Sequence, residues 1–346
     1  MDLLARAAAV AQQPPNLEAC LLELIRQIPP GRVSTYGLLA EALGDPAAAR
    51  WIGQFLAHHD HPPNAGEAKA GSPGDCPCHR VVRSDGSLGL YCLGNSRLKQ
   101  SRLEEEGVIV RDGRVDLTVY GFGEFRTDYP LRELRQVQEH LSTAVRQVPL
   151  ACSPQLVGAV DVAYRGSLAI GVLVVTDPEG RQIVSEQTIS MPARFPYITG
   201  FLAFRELPVL CALLDAAESA GVQPDLLLVD GSGIVHPRGV GVASHLGVIR
   251  RVPTIGVTKT LLCGRLELAT DHPWITHWIS MAGSPVGFAY RKSPHSRHLV
   301  YISPGHLIDL EGCEAIVARL RRGHPLPEPL YWADRRSKEL SRKNRG

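Results

Sequence analysis

Apolar positions along this chain keep a helical period in its first third and a strand-like texture from about residue 157 onward. In the first part, Leu17–Ile28 repeats apolar residues at helical spacing until Pro29-Pro30-Gly31, where two prolines and a glycine end it. A second helix is predicted over Tyr36–Leu43, with Ser34 or Thr35 as N-cap and Gly44-Asp45-Pro46 as its stop. A third follows with Pro46 in its first turn and apolar or small residues through Leu56. Short helices joined by tight turns suggest a helix-turn-helix module. His58–Asp75, rich in Pro, Gly and His with no apolar period, reads as a surface loop. Val108–Val119, centred on Arg111-Asp112-Gly113-Arg114, is expected to be a β-hairpin, and Gly121-Phe122-Gly123 begins a linker.

Farther along, Val157–Ala163, Leu168–Thr176 and Gln182–Ile189 are β-rich runs between turn residues, which predicts an antiparallel meander. A helical stretch, Phe201–Ala220, leads to the fully apolar run Leu226–Val229, a buried strand that ends at Asp230. A helix over 240–250, strands over 253–258, 286–290 and 298–302, and a last helix over 312–322 complete an α/β layer. The chain has 346 residues, 44% of them hydrophobic, enough for two cores. The expected division is a mainly α, winged-helix-like domain at 1–122, a linker at 123–130, and an α/β domain with a central mixed sheet at 131–346.

Composition narrows the class. No run of about 18 apolar residues occurs and the start lacks the ordered regions of a signal peptide, so a cytoplasmic protein without a membrane partner is expected. The eight cysteines are scattered, and reduced thiols are expected. A net charge of +2 implies nothing about partners until a local patch is found. The basic C-terminal run from Arg335 to Arg345 reads as a solvated tail, with phosphate tracking as the alternative.

Candidate chemistry changes the picture. Asp161 interrupts an apolar run, Asp230 ends another, and Glu206 lies on the helix between them. A carboxylate within an apolar strand is costly without a partner, and a divalent cation is a strong one. Mg²⁺ takes oxygen ligands and keeps waters, which suits phosphodiester hydrolysis. Taken singly, Asp161 or Asp230 more often caps a neighbouring turn or pairs with an arginine than binds a metal. The surrounding segments decide between these. Val160-Asp161-Val162-Ala163-Tyr164, Pro196-Tyr197-Ile198-Thr199-Gly200-Phe201 through Glu206, Val229-Asp230-Gly231 through Gly239, Gly256-Val257-Thr258-Lys259 and Tyr301 through His306 resemble endonuclease V in the family's order.

That resemblance implies a ribonuclease H-like fold and Mg²⁺, with Mn²⁺ as a substitute, on Asp161, Glu206 and Asp230. It further implies Lys259 near phosphate, His306 at the reactive centre, and His236 and Arg238 on the bound strand. By the same resemblance Tyr197 is a wedge into the duplex, and backbone around Gly200, Leu202 and Gly231 faces a flipped base. The implied activity is hydrolysis of the second phosphodiester bond 3′ to deoxyinosine; inosine in RNA is the rival substrate. The chain departs from the family's wedge motif at Thr199, where a second proline is usual, and so loses a fixed φ.

In the first part, Cys78 stands in Pro77-Cys78-His79-Arg80-Val81, a thiol beside an imidazole. Alone this is weak evidence of a nucleophile, and Cys76-x-Cys78 is not a usual zinc spacing. With Ile28 through Gly37, Ala48 through Gly53, Gly89 through Gly94 and Leu103-Glu104-Glu105-Glu106-Gly107, the segment resembles the DNA-binding domain of alkylguanine-DNA alkyltransferases and alkyltransferase-like proteins. By that resemblance Arg50 replaces a flipped guanine, Tyr36 presses on the adjacent phosphate, and Cys78 accepts the alkyl group with His79 and Glu106 as proton relay. A domain that only binds the lesion is the alternative.

Overall fold

The computed structural model describes residues 3–58, 76–91, 95–293 and 296–342. The chain divides into two compact units: Pro15–Arg135 with Phe195–Thr199, and the remainder, which includes the first 14 residues. Residues 123–130, expected as a linker, fall within the first of these units. Thr127 Oγ1 donates to the Ala42 carbonyl (2.6 Å) and Gln27 exchanges two hydrogen bonds with the Arg126 backbone (3.0 and 2.8 Å), which ties that stretch into the first unit.

The elements run α1 (Leu3–Gln12), α2 (Leu17–Arg26), β1 (Ser34–Thr35), α3 (Tyr36–Leu43) and α4 (Ala49–His58). They continue with β2 (Val81–Val82), α5 (Ser96–Glu105), β3 (Val110–Arg111), β4 (Arg114–Val115), α6 (Leu117–Tyr120) and α7 (Pro130–Ala144). In the first unit Thr35 caps α3, its side chain accepting from the Leu38 amide at 3.1 Å. Gly44 ends the same helix in the left-handed conformation at φ +104°. β1 and β2 pair in parallel, which brings the start of α3 beside the Cys78 segment. The expected hairpin exists, but it is shorter than 108–119, because α6 occupies its last residues. Of the loop expected over His58–Asp75, His58 is the last residue of α4 and residues 59–75 lie outside the described residues, as do residues 92–94.

The second unit contains β5 (Val157–Arg165), β6 (Leu168–Thr176), β7 (Ile183–Pro192), α8 (Leu202–Ser219), β8 (Leu226–Asp230), α9 (Val242–Arg250) and β9 (Thr254–Thr258). β10 (Arg265–Leu268), β11 (Ile275–Met281), β12 (Ser284–Arg291), β13 (Leu299–His306), α10 (Leu310–Leu320) and α11 (Glu328–Arg342) follow. The strands form one nine-stranded mixed sheet in the order β10-β11-β12-β13-β9-β8-β5-β6-β7. The predicted meander is β5-β6-β7, antiparallel throughout, while β5, β8 and β9 run parallel. Strand side chains alternate between faces. Val157, Ala159, Leu226 and Leu228 join the core shared with α10 and α11, whereas Val160, Leu227 and Val229 join the one shared with α8 and α9. Within α11, Leu330, Ala333 and Ser337 recur at helical spacing on its buried side. The basic C-terminal run thus corrects its expected reading: through Arg342 it is an ordered helix on the sheet, because it has an apolar stripe to bury. No helix among the described residues is long and apolar enough to cross a membrane.

Candidate active sites

Strand parity and register build the acidic site. Val160 pairs with Val229 across the parallel strands β5 and β8, so the next residues, Asp161 and Asp230, stand side by side. Both follow the alternation that points toward α11. That helix supplies Asp334, and carboxylate oxygens of Asp161, Asp230 and Asp334 all lie within 4.8 Å of one another. Ser337, one turn along, donates its hydroxyl to Asp161 Oδ2 and also bonds the Asp334 carbonyl at 3.1 Å. Lys259, just past β9, donates to Asp230 Oδ2 (3.1 Å) and to Asp334 Oδ1 (2.5 Å). Burial pushes the Asp161 carboxyl well above the usual carboxylate range, and the neighbouring Asp230 charge pushes the same way. Glu206 enters from α8 on the opposite face; burial, then Asp230 and Asp161, drive its carboxyl up as well. Burial opposes the Lys259 ammonium, but Asp230 and Asp334 outweigh it and hold the charge in place. A crowded set of hard oxygen donors, two of which, Asp161 and Glu206, are buried and pushed toward their neutral form, fits a divalent cation of the Mg²⁺ type.

The first unit gathers a different set of groups. Cys78 and His79 sit on a single 3-10 turn, Cys78–Arg80, and both are buried. His79 Nε2 donates to Glu106 Oε1 at 2.9 Å, which leaves Nδ1 as the lone-pair nitrogen; that atom has no partner among the described residues. Arg80 forks onto the same carboxylate at 2.9 and 2.6 Å and reaches the Ile28 carbonyl at 2.7 Å. Burial raises the Glu106 carboxyl, but the hydrogen bonds and charges of His79 and Arg80 prevail and hold it at about 2. Tyr36 opens α3, its hydroxyl 3.5 Å from the Leu90 carbonyl, and Arg50 is exposed in the first turn of α4.

Comparison with known proteins settles the lineage. The Endonuclease V family profile matches residues 139–335, more than half of the chain. The chain belongs to the endonuclease V family. Residues 16–108 match a second family, "6-O-methylguanine DNA methyltransferase, DNA binding domain". A Picrophilus torridus protein named "Bifunctional methyltransferase/endonuclease" is 33% identical over 95% of this chain and 98% of its own length. The similarity therefore runs through both units of this chain. Human endonuclease V is similar to the second unit at 32% identity, covering 62% of this chain and 100% of that one, with a TM-score of 0.56. A Ciona intestinalis endonuclease V, crystallised with a 23mer DNA containing an inosine followed by a ribo-adenosine, is 26% identical with a TM-score of 0.56, over 63% of this chain and 99% of that one. The chain is thus an enzyme of a metal-dependent endonuclease family, carrying an N-terminal methyltransferase-type DNA-binding domain.

For an endonuclease V, the placement of the expected residues is informative. Asp161, Asp230 and Lys259 meet; Glu206 adjoins them from the other layer. Asp334 was missed because it lies in the charged C-terminal run, and only the stripe Leu330, Ala333, Ser337 marks that run as a packed helix. His306 does not reach the cluster. It pairs with Thr254, which pairs with Leu227, three residues before Asp230 and two strands away, or roughly 14 Å by strand spacing. Its Nδ1 instead accepts from the Arg146 amide at 3.2 Å, so it braces the loop before β5. His236 is buried and Arg238 half-buried, and neither presents itself to a strand. Both donate to the Gly200 carbonyl, His236 Nε2 at 3.2 Å, and Gln138 Nε2 joins them at 3.1 Å. Gly200 needs its φ of +82°, and a Cβ there would meet Arg238 Nη2 at 2.9 Å. The Gly231 amide is used by the Val257 carbonyl at 2.9 Å, while Leu202 is half-buried at the start of α8. Tyr197 is 63% exposed between buried Phe195 and Ile198, an aromatic ring held out by its two neighbours.

Glu106 gives a pH prediction for the first unit. Its folded pKa lies below the unfolded value, so its contribution is present above the unfolded pKa and is lost as pH falls toward about 2. Glu106→Gln should flatten the acid limb of the unit's stability between pH 5 and 2. It should also destabilise at neutral pH by roughly 3 kcal/mol, because Arg80 and His79 lose a buried anion. Thermal melts of both forms across that range check it.

Proposed function

We propose that this protein nicks DNA at the second phosphodiester bond 3′ to deoxyinosine, and that its first unit removes alkyl groups from O6-alkylguanine onto Cys78. The convergence of Asp161, Asp230 and Asp334 from two strands and a helix carries the first half. Together with Glu206 these residues would hold Mg²⁺, with Mn²⁺ as a substitute. When bound, that cation polarises the scissile phosphate and lowers the pKa of attacking water. Lys259 anchors two of the carboxylates and presents a fixed positive charge where the phosphate must sit. Ser337 fixes the orientation of Asp161. Tyr197 is available to fill the stack where the damaged base leaves it, at a cost that is lowest for a weakly paired base.

In the first unit the Cys78 sulfur would attack the alkyl carbon on guanine O6. The C–S bond forms as the C–O bond breaks, the thiol proton passes to the His79–Glu106 pair, and the pair is reset when that one proton is returned to the departing guanine. The orphaned His79 Nδ1 beside a Cys78 on the same turn supports this reading over a purely sensing domain. Tyr36 and Arg50 are assigned the phosphate and the vacated stack.

Matched duplexes containing deoxyinosine or deoxyadenosine, with a parallel inosine RNA, test the nuclease half in Mg²⁺. Nicking should appear only in the deoxyinosine-containing strand, at the second phosphodiester bond 3′ to the lesion, and the Asp230→Ala variant should leave every strand intact. Equal cutting of the deoxyadenosine duplex, or cutting confined to RNA, would reject the proposal.

A further inference from the structure

An exposed surface adjoins the carboxylates through Asp334. A groove of about 630 Å³ is lined by Tyr331, Asp334, Arg335, Lys338, Glu339 and Arg342, all on α11. The helix is fixed from behind: its buried side packs on the sheet, and Ser337 bonds Asp161. The outer face is basic. Arg335 and Arg342 are exposed and form no ion pair with any described residue, whereas Lys338 is held by Asp334 at 2.7 and 2.8 Å. Glu339, the one acid in the groove besides Asp334, is engaged by Arg336 at 3.2 Å. At its upstream end Tyr331 stacks face to face on His324, with centroids 3.5 Å apart and 4° between planes.

We infer that α11 is a backbone rail for the cleaved DNA strand, in which Arg335 and Arg342 hold phosphates on one flank of the bond that is broken. Asp334 belongs both to the helix and to the carboxylate cluster, so a strand seated at the cluster lies at one end of the rail. The seven-residue step from Arg335 to Arg342 covers roughly 10 Å of helix axis, about three phosphates of one duplex strand. An ordered helix with unpaired guanidinium groups is preorganised for these contacts, which a mobile basic tail would not be. Contacts of this kind position a strand without reading its sequence. The inference rests on the nuclease reading above and assigns the strand's path within it.

The test compares the full-length protein with an Arg335→Ala/Arg342→Ala double variant and with a control pair, Arg265→Ala/Lys292→Ala, at the other end of the sheet. DNA affinity for a deoxyinosine duplex is measured from 50 to 200 mM salt, and single-turnover nicking at saturating DNA. The rail variant should lose roughly 2 from the slope of log affinity against log salt and bind about tenfold or more weakly at the lower salt. Its saturated nicking rate should stay within about twofold, since the rail binds but touches no reacting atom. An unchanged slope, or a loss equalled by the control pair, overturns the rail. If the unaltered protein itself fails to nick deoxyinosine, the nuclease reading falls instead, and the two failures are distinct.

Discussion

Asp161→Asn is expected to abolish nicking and, in the same molecule, to raise the stability of the metal-free protein. Asp161 is 7% exposed, beside Asp230 and Asp334, and its carboxyl is pushed up by burial and then by Asp230. A raised acid pKa means the fold disfavours the charged form. Above the unfolded pKa the unfolded chain is ionised more readily than the native one, so stability falls as pH rises through that interval. An amide of the same shape removes that term and can still accept from Ser337. A gain on the order of 2 kcal/mol is expected in chelator at neutral pH. Loss of the carboxylate should at the same time cost roughly 10³-fold or more in single-turnover nicking. Added Mg²⁺ should stabilise the unaltered protein and not the variant, since only a species that binds the folded state shifts its melting. Melting curves with and without Mg²⁺ check the two stability effects, and a single-turnover nicking assay checks the loss of rate. A variant that melts lower in chelator would mean the acidic cluster is a structural salt-bridge node rather than a charge held in strain for a cation.

Much of this site could be read before any coordinates, and the part that could not has a physical reason. Asp161 and Asp230 are legible because an acid in a fully apolar run is an anomaly the sequence displays by itself. Their juxtaposition follows once β5 and β8 are paired in parallel, a register no local pattern contains. Asp334 is illegible for the opposite cause: its neighbours Arg335, Arg336 and Lys338 make an acid there look solvated. The helix is held by tertiary packing of a narrow stripe, which overrides the polar composition. β10 and β11 were invisible for a related reason, as the outer strand β10 is exposed along its length and keeps no alternation. His306 shows the limit of motif transfer. Its sequence match is good, but β13 runs antiparallel to β9 and carries the imidazole to the wrong end of the sheet. In the first unit, α2 and α3 were found nearly to the residue because their stops are prolines and a left-handed glycine. The Glu106 clamp on His79 and Arg80, joining residues 26 and 27 positions apart, had no local signal beyond the resemblance.

Exposure to O6-methylguanine DNA should add one methyl group to each chain at Cys78, and Cys78→Ser should take up none while its nicking of deoxyinosine is unchanged. Cys78 is 2% exposed, so the alkylated base must leave the duplex and enter the protein to meet the sulfur. Glu106 is ionised at any working pH and fixes the His79 tautomer, with the proton on Nε2 and the acceptor on Nδ1. His79 Nδ1 is thereby the nitrogen left to take the thiol proton. Glu106→Gln can present its amide to His79 in either sense and so loses that bias. Methyl uptake should then slow by roughly 10²-fold while its final stoichiometry stays at one per chain. Serine cannot substitute, because its hydroxyl is far less readily ionised than a thiol by a single imidazole base. Intact-mass measurement over time, followed by peptide mapping, reads both stoichiometry and rate. Lesion-bound protein in which Cys78 remains unmodified would reduce the first unit to a sensor. A nicking rate that falls with Cys78→Ser would instead show that the two chemistries depend on each other, which nothing in the acidic site requires.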